Sequence, residues 1–368
     1  MSEIGVSFDS LQSMLRNITI DVINASAINK GMKTNKNGFG ISKVLAMETP
    51  STTSGRLDVV VAQDGSGDYK TIQEAVDGAG ERPKGSRRYV LRVKEGVYEE
   101  YVKVGIKSNN IMIVGDGISK TIITGNKSNG TGFSTFQSAT FVAEGDGLVA
   151  RDMTIRNTAG PENHQAVALR SDSDMSAFYK RSIEGYQDTL YVHSNRQFFK
   201  ECDIYGTVDF IFGNAAAVFQ NGRIFARRPP NGVDTITAHS RENTNQTTGF
   251  VIQNSVVRGA PGVRLGGVKT YMGRPWRAYA RTVVIGTHIG SLIEPKGWIE
   301  WDYETDLSTL YYGEYRNLGP GSGTENRVDW AGFHVITDIQ EVQKFTLSKF
   351  IDGASWLPQT RIPFSIIL

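Results

Sequence analysis

Short runs of β-branched and aromatic residues, each bounded by Gly, Asn or Asp, recur along the chain from about residue 58 to residue 300. Val59-Val-Val-Ala62, Tyr89-Val-Leu-Arg-Val93, Ile111-Met-Ile-Val114 and Thr121-Ile-Ile-Thr124 open the series. Six runs that resemble one another follow: Leu148-Val-Ala-Arg-Asp-Met-Thr-Ile155, Phe178-Tyr-Lys-Arg-Ser-Ile183, Phe199-Lys-Glu-Cys-Asp-Ile204, Phe219-Gln-Asn-Gly-Arg-Ile224, Phe250-Val-Ile-Gln-Asn-Ser-Val-Val257 and Val283-Val-Ile-Gly-Thr-His-Ile289. Runs of this length and composition predict β-strands. Their equivalent positions fall at 153, 181, 202, 222, 255 and 287, in steps of 28, 21, 20, 33 and 32. A loose period of that size predicts a solenoid whose unit is one coil. An antiparallel sandwich or barrel would account for the strands but not for the self-similarity.

Helical spacing appears outside this stretch. Leu11, Met14, Leu15, Ile18, Val22 and Ala25 follow Asp9 and Ser10, either of which could cap a helix, and a polar linker runs from Lys30 to Gly55. Thr71-Ile-Gln-Glu74 and Asp338-Ile-Gln-Glu341 have the form of capping boxes. They predict short helices burying Ile72, Ala75, Val76 and Ala79 near one end of the coil, and Val342 and Phe345 near the other. The chain thus divides into residues 1–55, a helix and linker, and residues 56–368, an all-β solenoid with short capping helices.

Composition narrows the function classes. The 368 residues are 39% hydrophobic with a net charge of +2, too small a bias to mark a nucleic-acid partner. The 40 glycines suit a fold with a turn every few residues. No apolar run reaches the ~20 residues of a membrane-spanning helix. Met1-Ser-Glu-Ile-Gly5 lacks the basic-then-apolar order of a signal peptide. The single cysteine, Cys202, allows no internal disulfide and no cysteine metal site. Sequons at Asn17, Asn24, Asn126, Asn129 and Asn245 would suit a secreted protein.

No Gly-x-Ser-x-Gly elbow, Walker loop or His-Glu-x-x-His occurs, and His164, His193, His239, His288 and His334 are scattered. Carboxylate chemistry remains. Asp188 and Asp209 are 21 residues apart, one step of the coil, and Gln165 lies 23 before Asp188. Stacked coils would bring the two aspartates within about one inter-strand distance, roughly 4.8 Å. Two carboxylates that close cannot both ionise easily, so one would stay an anion and the other hold a proton. Read singly, Asp209 could be a strand-end aspartate bonded to amides, and Asp188 an ordinary turn residue. Gln165 and Gln187 are amide donors that could stabilise an oxyanion or merely be solvated. Arg274 could pair with the ionised aspartate or lie on the surface. Trp276 and Trp298 could line a sugar groove or belong to the core.

Five motifs, Gly96-Val-Tyr-x-Glu100, Gln165-Ala-Val-Ala-Leu169, Tyr186-Gln-Asp-Thr-Leu190, Asp209-Phe-Ile-Phe-Gly213 and Gly273-Arg-Pro-Trp276, resemble in order and spacing the signatures of plant pectin methylesterases. The resemblance runs from about Val59 to the C-terminus. It implies a right-handed parallel β-helix that removes methyl esters from C6 of galacturonate units in pectin, with no metal or organic cofactor. It implies Asp209 as nucleophile, Asp188 as acid and base, Gln165 and Gln187 as oxyanion donors, and Arg274 as the partner of Asp209 and a contact of substrate. Thr135, Gln165, Trp276 and Trp298 would join Arg274 in the sugar groove. It further implies a monomer secreted to the plant cell wall, free of nucleic acid and membrane, with methyl-esterified homogalacturonan as substrate and a proteinaceous pectinesterase inhibitor as a further partner. The N-terminal helix resembles the end of an inhibitor-like pro-region. Many relatives carry cysteines where this chain has Arg181, Gly222 and Ser255, which leaves Cys202 without its partner. A polygalacturonase or pectate lyase on the same coil, and a catalytically inactive carbohydrate-binding solenoid, are the alternatives. Methanol release without new chain ends separates the enzymes.

Overall fold

A computed structural model describes residues 57–80, 87–301 and 306–366. The helix and linker expected over residues 1–55 lie outside these residues. Within them the strand pairings are parallel and run from coil to coil. A seven-stranded sheet holds Val102–Val104, Phe141–Ala143, Leu169–Ser171, Leu190–Val192, Val208–Gly213, Val233–His239 and Lys269–Pro275 side by side in chain order. A seventeen-stranded sheet forms the remaining walls. The chain is a parallel β-helix, as the period predicts. Parallel strands need both faces covered or closed, and a coil wound on itself supplies the closure without crossover helices.

The aligned positions coincide with the coil register. Met153 pairs with Arg181, and the neighbouring pairs Ser182 with Asp203, Asp203 with Arg223, Arg223 with Val256, and Val256 with His288 carry residues 181, 202, 222, 255 and 287 into one column. The residue just before each position has a left-handed backbone: Asp152, Lys180, Glu201, Asn221, Asn254 and Gly286, with φ between 47° and 57°. These residues make the bend between two walls of the large sheet. Asn and Gly adopt that conformation readily, whereas Lys180 and Glu201 hold it at a cost of roughly 1–2 kcal/mol each. The coil packing on either side imposes it.

The core fills the coil interior with stacked equivalents. Phe178, Phe199 and Phe219 occupy successive coils with ring centroids 4.7 and 4.8 Å apart. The predicted first helix is present at Ile72–Gly80 and buries Ile72, Ala75, Val76 and Ala79. Its first amides are held by the Glu100 carboxylate at 3.0–3.1 Å, and the Glu74 amide by Thr71. The Asp338 carboxylate caps a second predicted helix, Ile339–Gln343. Together with Leu347–Phe350 and Gly353–Trp356 it sets Val342, Phe345, Leu347 and Trp356 against Ala177, Phe198, Val218, Val251 and Val283 of successive coils.

Arg181 stands in the buried column directly against Cys202. It is fully buried, and none of its three guanidinium nitrogens has a hydrogen-bond partner among the described residues. The faces of Phe141 and Phe178 lie near it, with centroids 5.9 and 6.0 Å away. Burial pushes this guanidinium down to about 9, which leaves it a cation at neutral pH. The Cys202 thiol is pushed up to about 12 by the same burial and is unreactive there.

Candidate active site

The outer face of the seven-stranded sheet carries one register column: Val142, Arg170, Tyr191, Phe212, Ala238 and Arg274. Tyr191 and Phe212 stack at 4.2 Å, and Phe212 continues to Trp276 and then Trp301 at 6.0 and 6.3 Å. Phe136 and His193 extend this aromatic floor at the other end, each ring edge-on to its neighbour. Ala238, the small member of the column, leaves room for Arg274 to reach back two coils, across the strand of Ala238 to that of Asp209. Gly273 permits the close approach, since a Cβ there would sit 2.1 Å from Thr237 Oγ1.

Asp209 reaches this face through a bulge. Val208 pairs with Thr235 and Ile211 with Thr237, so two residues, Asp209 and Phe210, oppose the single Ile236. Asp209 takes a left-handed backbone at φ 52°, which directs its carboxylate outward while Phe210 stays in the core. The Thr235 hydroxyl donates to Asp209 Oδ1 at 2.7 Å and accepts the Asp209 amide at 2.9 Å. Arg274 grips both carboxylate oxygens, Nε to Oδ1 at 2.9 Å and Nη2 to Oδ2 at 2.7 Å. The guanidinium is itself packed on Trp301, 4.1 Å from the ring centroid. A fork-to-fork pair of this kind fixes both the charge and the direction of the carboxylate.

Asp188 lies on the preceding coil. Its amide donates to Val208 O at 3.0 Å, and the register of Leu190 on Ile211 carries it opposite Asp209. It too has a left-handed backbone, φ 61°, and it is 8% exposed. Burial, with the negative charge of Asp209, drives its carboxyl well above the usual carboxylate range, while Arg274 opposes the shift. The site therefore sets an ion-paired carboxylate beside a buried carboxyl whose protonated form is favoured. That pairing can supply a nucleophile and a proton donor to the same substrate atom group.

The other predicted residues fall as follows. Gln187 precedes Asp188, and Gln165 sits one coil earlier, its carbonyl accepting from the Asn129 amide at 2.8 Å. Both glutamines are partly exposed, and neither side-chain amide is hydrogen-bonded among the described residues. Thr135 begins a short 3₁₀ turn, Thr135–Gln137, beside Phe136. Trp276 belongs to the aromatic floor. Trp298 does not, which corrects the expectation for it. It is fully buried, stacks on Tyr312 at 4.3 Å, and donates its indole N–H to Glu314. The bridge from Gly273 to Trp298 turns that ring into the coil, and the groove ring is Trp301, three residues on. Thr235, Tyr191, Phe212 and Trp301 are the residues that the sequence reasoning missed. Trp301→Ala is expected to raise KM for polymeric substrate several-fold, about 1 kcal/mol, with kcat little changed, as steady-state kinetics would show.

The fold and site define a parallel β-helix with a paired-carboxylate centre on the face of its seven-stranded sheet. The pectinesterase family model matches residues 58–354. "Putative pectinesterase/pectinesterase inhibitor 38" of Arabidopsis thaliana is 77% identical over all 368 residues, which span 76% of that protein. "Pectinesterase 2" of Citrus sinensis is 53% identical over 99% of this chain and 72% of its own length. The structure of pectin methylesterase from carrot superposes with a TM-score of 0.83 and 53% identity, covering 87% of this chain and all of the carrot chain. The chain belongs to the pectinesterase family and is a pectin methylesterase, a carboxylic ester hydrolase acting on pectin.

Proposed function

We propose that this site removes the C6 methyl ester of a galacturonate unit through a covalent acyl-enzyme. The observation that carries the reading is the Arg274–Asp209 ion pair with the buried Asp188 opposite it on the preceding coil. Asp209 attacks the ester carbonyl, and the amides of Gln165 and Gln187 take up the charge that forms on its oxygen. Collapse of the tetrahedral species breaks the bond to the methoxy group, and the Asp188 proton leaves with it as methanol. The Asp188 carboxylate then removes a proton from a water that attacks the acyl carbon. This frees the galacturonic acid carboxyl, which then gives its proton to solvent, returns Asp209 to its anion and restores the proton on Asp188.

Arg274 and Thr235 hold Asp209 at the attacking angle, and Thr135, Trp276 and Trp301 border the polysaccharide. Related structures support a polymeric substrate. A pectin methylesterase in complex with a hexasaccharide matches this chain with a TM-score of 0.66 and 28% identity over 86% of its length. The cell wall is the corresponding location, methyl-esterified homogalacturonan the substrate, and an inhibitor protein a further partner, in keeping with the name of the Arabidopsis relative.

Methanol measured from methylated pectin, with and without a chelator, tests the reading. Methanol should appear at equal rates in both, with no new reducing or unsaturated ends. Activity that vanishes on chelation and returns with calcium contradicts it.

Asp188 also predicts a trade between activity and stability. Its folded-state carboxyl holds its proton above the ordinary range, so the folded chain binds more protons than the unfolded one, and stability falls as pH rises above about 4. Asp188→Asn removes this penalty. The variant should unfold at a higher temperature than the parent at pH 7, with a gap that narrows toward pH 4, while methanol release collapses. Thermal scans across that range check the sign.

A further inference from the structure

A second cavity lies away from the aspartate pair, between the coil and the C-terminal helices. It has a volume of about 440 Å³, within the roughly 300–1,000 Å³ of small-molecule sites. Tyr279, Leu310, Tyr311, Phe345 and Phe350 give it apolar walls. Its charged groups are Arg241, Arg281, Lys344 and Glu341, an excess of two positive charges. Three of the four are already engaged. Arg241 donates to the carbonyl oxygens of Gln246, Thr244 and Tyr279, and Lys344 is paired with Glu341, which also accepts from the Tyr311 hydroxyl at 2.7 Å.

Arg281 is not engaged. Its backbone amide is held by His239 Nδ1 at 3.2 Å, which anchors the residue at the start of its strand. Its stem crosses Gly249, whose missing side chain makes the space: a Cβ there would lie 2.9 Å from Arg281 Cδ and 3.1 Å from Phe350 Cζ. The guanidinium ends in the cavity, half-buried, with no hydrogen bond or ion pair to the described residues. Burial and the nearby positive charge of Arg241 push it down to about 10, with Tyr311 opposing the shift. A planar fork of donors sharing a cavity with apolar rings fits a carboxylate in bidentate fashion. The walls offer little to the hydroxyls of a sugar, and Glu341 opposes a second negative charge.

We propose that this cavity binds a monocarboxylate with a flat apolar body, an aryl carboxylic acid, whose carboxylate meets the free Arg281 fork and whose ring lies among Tyr279, Tyr311, Phe345 and Phe350. Such a ligand would sit outside the esterase groove and would not require the ester chemistry.

The test uses the full chain and three probes, cinnamate, its neutral amide cinnamamide, and galacturonate, titrated by calorimetry. Cinnamate should bind saturably. Cinnamamide and galacturonate should each bind at least about tenfold more weakly, the scale of losing one charge-assisted contact or the apolar fit. Arg281→Gln should weaken cinnamate by a similar factor while methanol release from pectin stays at the parent rate. Cinnamamide binding as tightly as cinnamate, an Arg281→Gln variant that binds cinnamate unchanged, or no saturable binding of cinnamate overturns the proposal. Galacturonate binding as tightly as cinnamate overturns the assigned ligand class. The two comparisons among probes use the unaltered protein and stand whether or not the variant folds.

Discussion

Asp209→Asn should lower methanol release by at least about 10³-fold, which corresponds to roughly 4 kcal/mol of transition-state stabilisation. The substitution is nearly isosteric and removes only the charge and nucleophilic oxygen. Thr235 can still hydrogen-bond the side chain, so Asp209 should lose its chemistry without losing its place. The groove floor of Tyr191, Phe212, Trp276 and Trp301 is untouched, so pectin should still bind with an affinity close to the parent's. A variant that retains full activity would mean that another group attacks the ester, or that direct water attack carries the reaction. Loss of pectin binding together with loss of turnover would instead mark Asp209 as a scaffold for the groove.

The second large effect concerns stability. Arg181→Met is expected to stabilise the protein by about 3 kcal/mol, because an uncompensated buried charge typically costs on the order of 3–5 kcal/mol. The guanidinium lies in the core column with no acceptor for its three nitrogens among the described residues, and the rings of Phe141 and Phe178 are beside it. Met has a similar reach, an unbranched stem and no polar group to satisfy. The gain should appear as a melting temperature raised by several degrees, with methanol release unchanged, since Arg181 lies in the coil interior and takes no part in the aspartate pair. A lowered melting temperature would show that the arginine is compensated in a way its neighbours do not suggest.

The coil was legible in the sequence because its geometry is local. Each aligned position at 153, 181, 202, 222, 255 and 287 follows a left-handed residue, and that bend sets the phase of the strand on either side. Asp188, Asp209 and Arg274 were legible because a one-coil spacing and five ordered motifs point to the same residues. Thr235 was not, since its contact depends on a bulge that no run of hydrophobic residues announces. The two tryptophans show the same limit. Trp298 and Trp301 stand three residues apart in an irregular segment without strand alternation, so composition could not say which ring faces the groove and which the core. Arg181 is the opposite case. The register placed it among core-facing neighbours, but only the packed structure shows that its three nitrogens find no acceptor among the described residues.

The division of labour between the two aspartates can be read in one measurement, the pre-steady-state release of 4-nitrophenol from an aryl ester of a galacturonate oligomer. This leaving group departs without a proton. Asp188→Asn should therefore still form the acyl-enzyme and give a burst of one equivalent before stalling, whereas Asp209→Asn should give no burst. A burst from Asp209→Asn, or none from Asp188→Asn, contradicts the assignment of Asp209 as nucleophile and Asp188 as acid.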